Sequence, residues 1–292
     1  MSKRRKSPQT APKRQKVRDI FVARPFQGLA DEPEWIALRE LVPAASAPLR
    51  IKAEFIDEYG DRPVTLSTVL PMAWPAMTRQ DGHVFIGLQR HVQSGDVSRD
   101  LAVAILSALR TKPGDTVAVP ALPGEGPRLQ DVLDDGPLDI TMHNGFEYWL
   151  DAEQAGDASV KGSLERANAS IYPTSRLGAA HAAYWCRVAP GKGHVRWVLP
   201  DPEDVALDAL ARLSAAGDLL LGDRTKFAGM FRAHGLLVPV WDIPGELDAA
   251  DWEAPLADFA KRYTDTLAET GPLDAAARRA RQGLVGRQLT LR

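Results

Sequence analysis

Three side chains in the middle of the chain could combine acid–base and anion-binding chemistry. His143 and Glu147 flank a turn at Asn144-Gly145, and Arg176 ends the loop-like stretch 172–176. A histidine and a carboxylate within hydrogen-bond reach can transfer protons, and an arginine can hold a carboxylate or a phosphate. If the two segments meet in one cleft, His143, Glu147 and Arg176 are the candidate catalytic residues. An ordinary structural role is the alternative for each of them.

The usual motifs of phosphate, zinc and serine chemistry are absent from the sequence. It contains no G-x-x-x-x-G-K-[ST] loop, no H-E-x-x-H pair and no G-x-S-x-G turn. The six histidines lack the i, i+4 spacing of a helical zinc site. The single cysteine, Cys186, stands in an apolar stretch, which is typical of a buried thiol rather than a reactive one. The sequence therefore indicates no metal and no cofactor, and it favours a binding protein over an enzyme.

Positive charge is concentrated at the two ends of the chain, around an acidic body. Residues 275–292 hold five arginines and no acid, and residues 1–18 hold eight cations and no acid. The residues between these two segments include 23 cations and 38 anions, which gives that part of the chain a formal charge of −15. The cations of the first segment are Lys3, Arg4, Arg5, Lys6, Lys13, Arg14, Lys16 and Arg18. Such asymmetry is typical of a protein with an anionic partner, and a solubilising tail is the alternative.

Residues 1–20 are expected to form a disordered basic arm, because like charges and prolines leave little apolar surface to bury. The cations can follow phosphates, but no aromatic side chain accompanies them to stack on bases. The arm therefore predicts non-specific binding of a polyanion such as ribosomal RNA or DNA. No secretory signal and no apolar run of membrane-spanning length is found, so we expect a cytoplasmic protein without a membrane partner.

Hydrophobic periodicity predicts an α+β fold. Prolines and glycines separate the elements. The first three strands are expected to form a meander, and two helices are expected to close the chain. The predicted helices cover 33–41, 97–109, 163–169, 202–215, 225–233, 247–268 and 272–282. The predicted strands cover 49–55, 64–70, 83–89, 116–119, 138–142, 182–188, 194–199 and 236–241.

Two stretches of the chain repeat one order of elements. In each, a His-Val pair opens a strand, a helix follows, and Gly-Asp precedes an apolar run. This predicts two diverged copies of a helix plus antiparallel-strand unit, and coincidence between turn residues is the alternative. The predicted organisation is a basic arm (1–20), a first unit (21–137), a second unit (138–245) and a C-terminal helical segment with a basic tail (246–292).

Three segments carry a resemblance to a known family. They are RPFQGL at 24–29 with WIALRELVP at 35–43, LGDRTKFAGMFRAHGLLVPVWD at 221–242, and GLVGRQLTLR at 283–292. Together they resemble a family from GC-rich Gram-positive bacteria that is defined only as a domain of unknown function. The resemblance spans nearly the whole chain, and it implies no activity, cofactor or site residue.

The sequence thus predicts an accessory or binding protein whose partner is RNA or DNA, held through the arm. The alternative is a small-molecule-binding protein or an enzyme with a cleft between its two halves. In that alternative His143, Glu147 and Arg176 are the residues of interest.

Overall fold

Strand pairing gives two five-stranded sheets in the computed structural model. The strand order is β3-β4-β2-β1-β5 in the first sheet and β6-β7-β8-β10-β9 in the second. The structure describes residues 20–120, 124–151 and 157–286.

The first sheet mixes parallel and antiparallel pairs. Strand β1 pairs antiparallel with β2 and β5, and β3 pairs antiparallel with β4, whereas β2 and β4 run parallel. A parallel pair needs a crossover connection, so the expected three-strand meander is wrong. The elements of this half are α1 (Glu32–Glu40), β1 (Ala45–Leu49), α2 (Ala53–Tyr59), β2 (Val64–Val69), β3 (Ala76–Thr78), β4 (Val84–Gln89), α3 (Val97–Arg110), α4 (Leu129–Val132) and β5 (Thr141–Met142).

The second sheet is antiparallel throughout. The predicted hairpin at its centre is confirmed as the pair β7–β8, and two helices close the described chain as predicted. The elements are α5 (Ala158–Asn168), β6 (Thr174–Leu177), β7 (Ala183–Ala189), β8 (Lys192–Trp197), α6 (Glu203–Ala216), β9 (Lys226–Ala233), β10 (Leu236–Pro244), α7 (Glu253–Leu267) and α8 (Ala275–Val285).

Local signals set the ends of the two 14-residue helices. The Asp96 side chain accepts a hydrogen bond from the Arg99 amide and caps α3. Gly217 adopts a left-handed φ of 84° and ends α6, and the Asp218 amide donates to the Leu213 carbonyl. Both helices were predicted within a residue or two of these bounds.

Helix α1 lies between the two sheets. Trp35, Ile36 and Leu38 are buried in a core cluster that also contains Tyr184 and Val238 from the second sheet. The opposite face of the second sheet packs in a separate cluster with residues of α6 and α7. Helix α1 therefore contributes to the apolar contact between the halves, together with Phe26, whose ring lies 5.4 Å from that of His234.

The buried Glu34 carboxylate fixes α1 against the second sheet. Glu34 has no solvent-exposed surface. It accepts hydrogen bonds from the Tyr184 hydroxyl at 2.6 Å and from the Ala182 amide at 3.2 Å, and Arg176 Nη2 lies 2.6 Å away. A buried carboxylate is tolerated only when its charge and lone pairs are satisfied, and here the second sheet satisfies them.

Three predicted elements are corrected by the structure. Residues 225–233, predicted as a helix, form strand β9, because Gly235 belongs to a hairpin turn with His234 rather than to a helix end. The strand predicted at 49–55 is divided, since β1 ends at Leu49 and α2 begins at Ala53. Residues 116–119 form no strand among the described residues.

The two halves are similar in composition, since each has a five-stranded sheet and a 14-residue helix. Their strand pairing differs, because a parallel pair occurs only in the first sheet of the described chain. The chain passes from one sheet to the other between β5 and β6, after residue 142. Duplication of one ancestral unit, with a boundary near 137, stays a prediction.

Replacing Glu34 by alanine should lower the free energy of unfolding by about 3 kcal/mol or more, because it leaves the Tyr184 hydroxyl and the Ala182 amide buried without their acceptor. Urea denaturation followed by circular dichroism measures the loss. The matched control is Glu165→Ala, an exposed glutamate on α5, which should change the free energy by less than about 0.5 kcal/mol. Equal effects of the two substitutions would contradict the role given to Glu34.

Candidate functional site

The C-terminal end of α1 lies in a cleft between the sheets, with a cavity on either side of it. The larger has a volume of about 650 Å³ and the smaller about 410 Å³. Glu40 and Leu41 line both cavities, so they form the ridge between them. The larger cavity is lined further by Arg39, Val42, Pro43, Val69, Gln89, Arg90, Gln93, Phe146, Ser170, Ile171 and Tyr172.

The larger cavity opens at the carboxyl ends of the parallel strands β2 and β4. Val69 and Gln89 are the last residues of these strands, they pair with each other, and both line the cavity. The larger cavity therefore lies where the one parallel strand pair of the first sheet in the described chain ends.

The smaller cavity lies on the second sheet and is lined by basic side chains. Lys192, His194 and Arg196 alternate along β8, so they share one face. The intervening residues of β8 are buried on the other face. Asp242 of β10 lies opposite His194, and Lys226 of β9 lies opposite Asp242. Three adjacent strands therefore bring three cations, a histidine and one carboxylate to this cavity.

Five cations and two carboxylates line the two cavities together, an excess of three positive charges when the histidines are neutral. One carboxylate, that of Glu40, is already paired: it lies 2.9 Å from His234 Nε2 and 3.3 Å from Arg39 Nε. Burial alone would raise the pKa of Glu40, but its hydrogen bond with His234 and the charges of His234 and Arg39 hold that pKa below its ordinary value.

Four of the cleft cations have no carboxylate within ion-pair distance among the described residues. Arg90 donates from Nη1 to the Asp100 carbonyl at 3.0 Å, while its buried Nε finds no hydrogen-bond acceptor in the described chain. Burial lowers the pKa of the Arg90 guanidinium, so its charge is held at a cost that a bound anion would reduce. The four cations are Arg90, Lys192, Arg196 and Lys226.

Tyr172 and Arg196 join the two cavities. Arg196 Nη1 donates to the Tyr172 hydroxyl at 3.4 Å, and its guanidinium carbon lies 5.9 Å from the centre of the Tyr172 ring. The Tyr172 hydroxyl in turn donates to the Leu41 carbonyl at 3.1 Å. Tyr172 is therefore fixed to the end of α1, with its ring at the larger cavity and its Arg196 partner at the smaller.

A cysteine, a histidine and an aspartate lie in register across the second sheet, but they lack the properties of a nucleophilic triad. Cys186 pairs with His194, and His194 pairs with Asp242. Cys186 is 1% exposed, and burial raises its pKa, so the thiol stays protonated. Burial and then repulsion by Arg196 lower the pKa of His194, although its Nδ1 lies 3.0 Å from Asp242 Oδ1. The buried, protonated thiol of Cys186 is therefore not an activated nucleophile.

The structure places two of the sequence-predicted residues in one loop. The His143 ring stacks on Tyr148 at 4.0 Å, and its Nε2 lies 2.8 Å from the Ser46 hydroxyl. Glu147 accepts a hydrogen bond from the Asn168 side chain. Burial lowers the pKa of His143, and the charge of Glu147 opposes that shift. The two groups are thus electrostatically coupled, as an acid–base pair would be.

Arg176, the third predicted residue, lies elsewhere. Its guanidinium pairs with Glu34, and no contact between described residues joins it to His143 or Glu147. The structure therefore does not bring the three residues together in one contact network, and their catalytic role stays a prediction.

The cleft residues were not singled out by the sequence, although part of the signal is present there. Alternation of Lys192, His194 and Arg196 along one strand indicates that they share a face. Tyr172 is the exception, because it begins the stretch 172–176 that the sequence analysis assigns to a candidate cleft. Nothing near Arg90 in sequence indicates a role for it. The convergence of the cleft residues depends on how α1 packs against both sheets.

The eight predicted nucleic-acid-binding cations, Lys3, Arg4, Arg5, Lys6, Lys13, Arg14, Lys16 and Arg18, lie outside the described residues. The chain that follows them runs beside the cleft. The Val22 amide donates to the Gly95 carbonyl at 2.7 Å, in the loop that contributes Gln93 to the larger cavity. The base of the arm is therefore next to the cationic cleft.

Among the described residues, no group of three or more His, Cys, Asp or Glu side chains is placed to hold a metal ion. None of the helices in that part of the chain is long and apolar enough to cross a membrane.

Comparison with known proteins identifies one family. The model of a family of unknown function, DUF5926, matches residues 25–292. Comparison with the curated proteins and with the solved structures gives no significant match.

The Glu40 carboxylate should make folding stability depend on pH. Because the folded-state pKa of Glu40 lies below its ordinary value of 4.5, its stabilising contribution is present above that value and is lost as pH falls through the folded-state pKa. Between about pH 6 and pH 3.5, Glu40→Gln should therefore lose less stability than the unmodified chain. Urea denaturation at several pH values measures the difference. Parallel curves for the two proteins would contradict the assignment.

Proposed function

The chain belongs to the DUF5926 family, a family of unknown function, and we propose that it is a cytoplasmic accessory protein that binds an anionic small molecule in the cleft between its sheets. The observation that carries the proposal is the group of four cations, Arg90, Lys192, Arg196 and Lys226, that line the cleft without a carboxylate partner. A ligand with negative charge would supply the partner that the described chain does not.

The charge of the rest of the protein strengthens this argument. The segment between the two basic ends carries a formal charge of −15, so an anion approaching most of its surface is repelled. A local excess of positive charge in a concave site focuses the field and raises the local concentration of anions there. The cavities, at about 650 and 410 Å³, fall in the size range of small-molecule sites.

The geometry favours binding over catalysis at this site. Cys186 is a buried, protonated thiol, and His194 is held beside Asp242 with its pKa lowered by burial. The catalytic alternative rests on His143, Glu147 and Arg176, and all three already have structural partners. The Ser46 hydroxyl lies 2.8 Å from His143 Nε2, Asn168 donates to Glu147, and Arg176 pairs with Glu34.

Tripolyphosphate is a suitable probe for the cleft, provided that binding to the arm is removed. In an arm-neutral variant, the full chain carries glutamine in place of the eight arm cations. Saturating tripolyphosphate at constant ionic strength should raise its melting temperature by about 5–10 °C, because a ligand at 100 times its dissociation constant stabilises by about 2.7 kcal/mol. Differential scanning fluorimetry measures the shift.

The double substitution Arg196→Gln with Lys226→Gln should abolish most of this shift, because it removes two cations that have no ion-pair partner. The matched control is Lys261→Gln, an exposed lysine on α7 that pairs with Asp265 away from the cleft. It should keep the full shift. No stabilisation of the arm-neutral chain, or an equal shift in the double variant, would rule out anion binding in the cleft.

A second candidate function is binding of a polyanion, such as ribosomal RNA or DNA, through the arm. The charge of residues 1–18 supports it, since eight cations occur there without an acid. The position of Val22 beside the cleft supports it further, because arm and cleft could then attract the same polymer. Binding by such an arm is electrostatic, and its salt dependence has an upper limit of about −7 in log K against log salt.

Sedimentation of a lysate on a density gradient tests the arm. The full chain should migrate with ribosomes or nucleic acid at low salt, and the arm-neutral variant should stay at the top of the gradient. Nuclease or moderate salt should release the full chain. If the two proteins migrate alike under all conditions, the arm does not bind a polyanion in the lysate, and a solubilising tail is the better explanation.

A further inference from the structure

We infer that the anionic ligand of the cleft is a nucleotide, with its phosphates in the smaller cavity and its base in the larger one. This inference rests on the proposed binding function and names the class of ligand. It follows from the different chemistry of the two cavities.

The smaller cavity suits a chain of phosphates. Lys192 and Arg196 lie on the same face of β8, four residues apart, so their backbones are separated by roughly 13 Å at about 3.3 Å per residue. Lys226 adds a third cation from β9. A row of this length, with cations from two strands, can contact several phosphate groups in succession, whereas a single carboxylate would use only one of the three cations.

The larger cavity suits a flat, polar-edged ring. Its walls include the apolar side chains of Val42, Pro43 and Ile171, and the Tyr172 ring. Amide and hydroxyl groups of Gln89, Gln93 and Ser170 border the same space. Apolar walls with a few hydrogen-bonding groups at the edge are what a nucleobase requires, because its faces are apolar and its edges donate and accept. Arg90 also lines this cavity and can attract an anion, but a bare polyphosphate would leave its apolar walls uncovered.

Tyr172 is placed to connect base and phosphate binding. Its hydroxyl is fixed by the Leu41 carbonyl, and Arg196 lies over its ring, so the aromatic surface and a phosphate-binding cation are held at a fixed distance. A nucleotide whose base stacks on Tyr172 has its phosphates directed toward Arg196. Stacking of a base on an aromatic side chain is worth about 1–3 kcal/mol, a factor of roughly 5 to 150 in affinity.

Isothermal titration calorimetry with the full-length arm-neutral variant tests this inference. Adenosine triphosphate and tripolyphosphate are titrated separately, without divalent cations. Adenosine triphosphate should bind about tenfold more tightly, because only it carries a base. Tyr172→Leu and Tyr172→Phe both remove the hydroxyl that accepts from Arg196, so the ratio of the two affinities is the readout. That ratio should fall to about one in Tyr172→Leu and stay near tenfold in Tyr172→Phe. Arg196→Gln with Lys226→Gln should weaken both ligands.

The outcomes separate the inference from the proposed function. Equal affinity for the two ligands, or an equal loss for both in Tyr172→Leu, would overturn the nucleotide inference and leave anion binding in place. Binding of neither ligand would overturn both. Far-ultraviolet circular dichroism shows whether Tyr172→Leu folds. If it does not, the affinities of the two ligands for the parent and for Tyr172→Phe still decide whether the base contributes to binding.

Discussion

A single buried carboxylate, that of Glu34, determines how the two sheets meet. Placing a charge where its exposed surface is zero is costly unless its partners are present. The partners of Glu34 come from β6, from β7 and from the turn between them: Arg176, Tyr184, the Ala182 amide, and His181 Nδ1 at 4.0 Å. One of them, Ala182, adopts a left-handed φ of 58°, a conformation that costs free energy for alanine. That strain is tolerated because Ala182 gives its amide to Glu34. Glu34 holds α1 against the second sheet near the start of the helix, and the Glu40–His234 pair holds its last turn.

The position of α1 also explains why a cleft exists. One face of the second sheet is apolar where α1 covers it, at Tyr184, Val238 and Phe231. The same face becomes polar beyond the end of the helix, at His194 and Arg196. Helix α1 has nine residues, too few to cover the whole face. The length of α1 therefore explains both how the sheets are held together and why a cleft stays open. Glu40, in the last turn of α1, pairs with His234 and also lines both cavities.

Much of the fold follows from local signals in the sequence. Periodicity with a capping aspartate predicts α3, and periodicity with Asp201 ahead of it predicts α6, whereas a glycine is the end signal at 225–233. The same kind of signal fails at β9, because a glycine with positive φ can end a helix or form a hairpin turn. At Gly235 the preceding residue, His234, is left-handed too, and two such residues in succession make the hairpin turn. The local sequence does not distinguish the two cases; pairing of β9 with β10 does.

The candidate site is less predictable than the fold, for a physical reason. Charge at the ends of the chain is visible along the sequence, since cations there are neighbours. The excess of three positive charges in the cleft is assembled from residues between 39 and 242. Arg39 and Lys226 have acids close to them in sequence, whereas Lys192 and Arg196 lie in a stretch, 166–200, that holds five cations and no acid. Alternation shows that Lys192 and Arg196 share a face, but only the docking of α1 decides which part of that face meets solvent. The site forms where two units meet, so it depends on how those units pack. No sequence motif connects Arg90 with Arg196, and both line the cleft because Glu34 holds α1 against the second sheet.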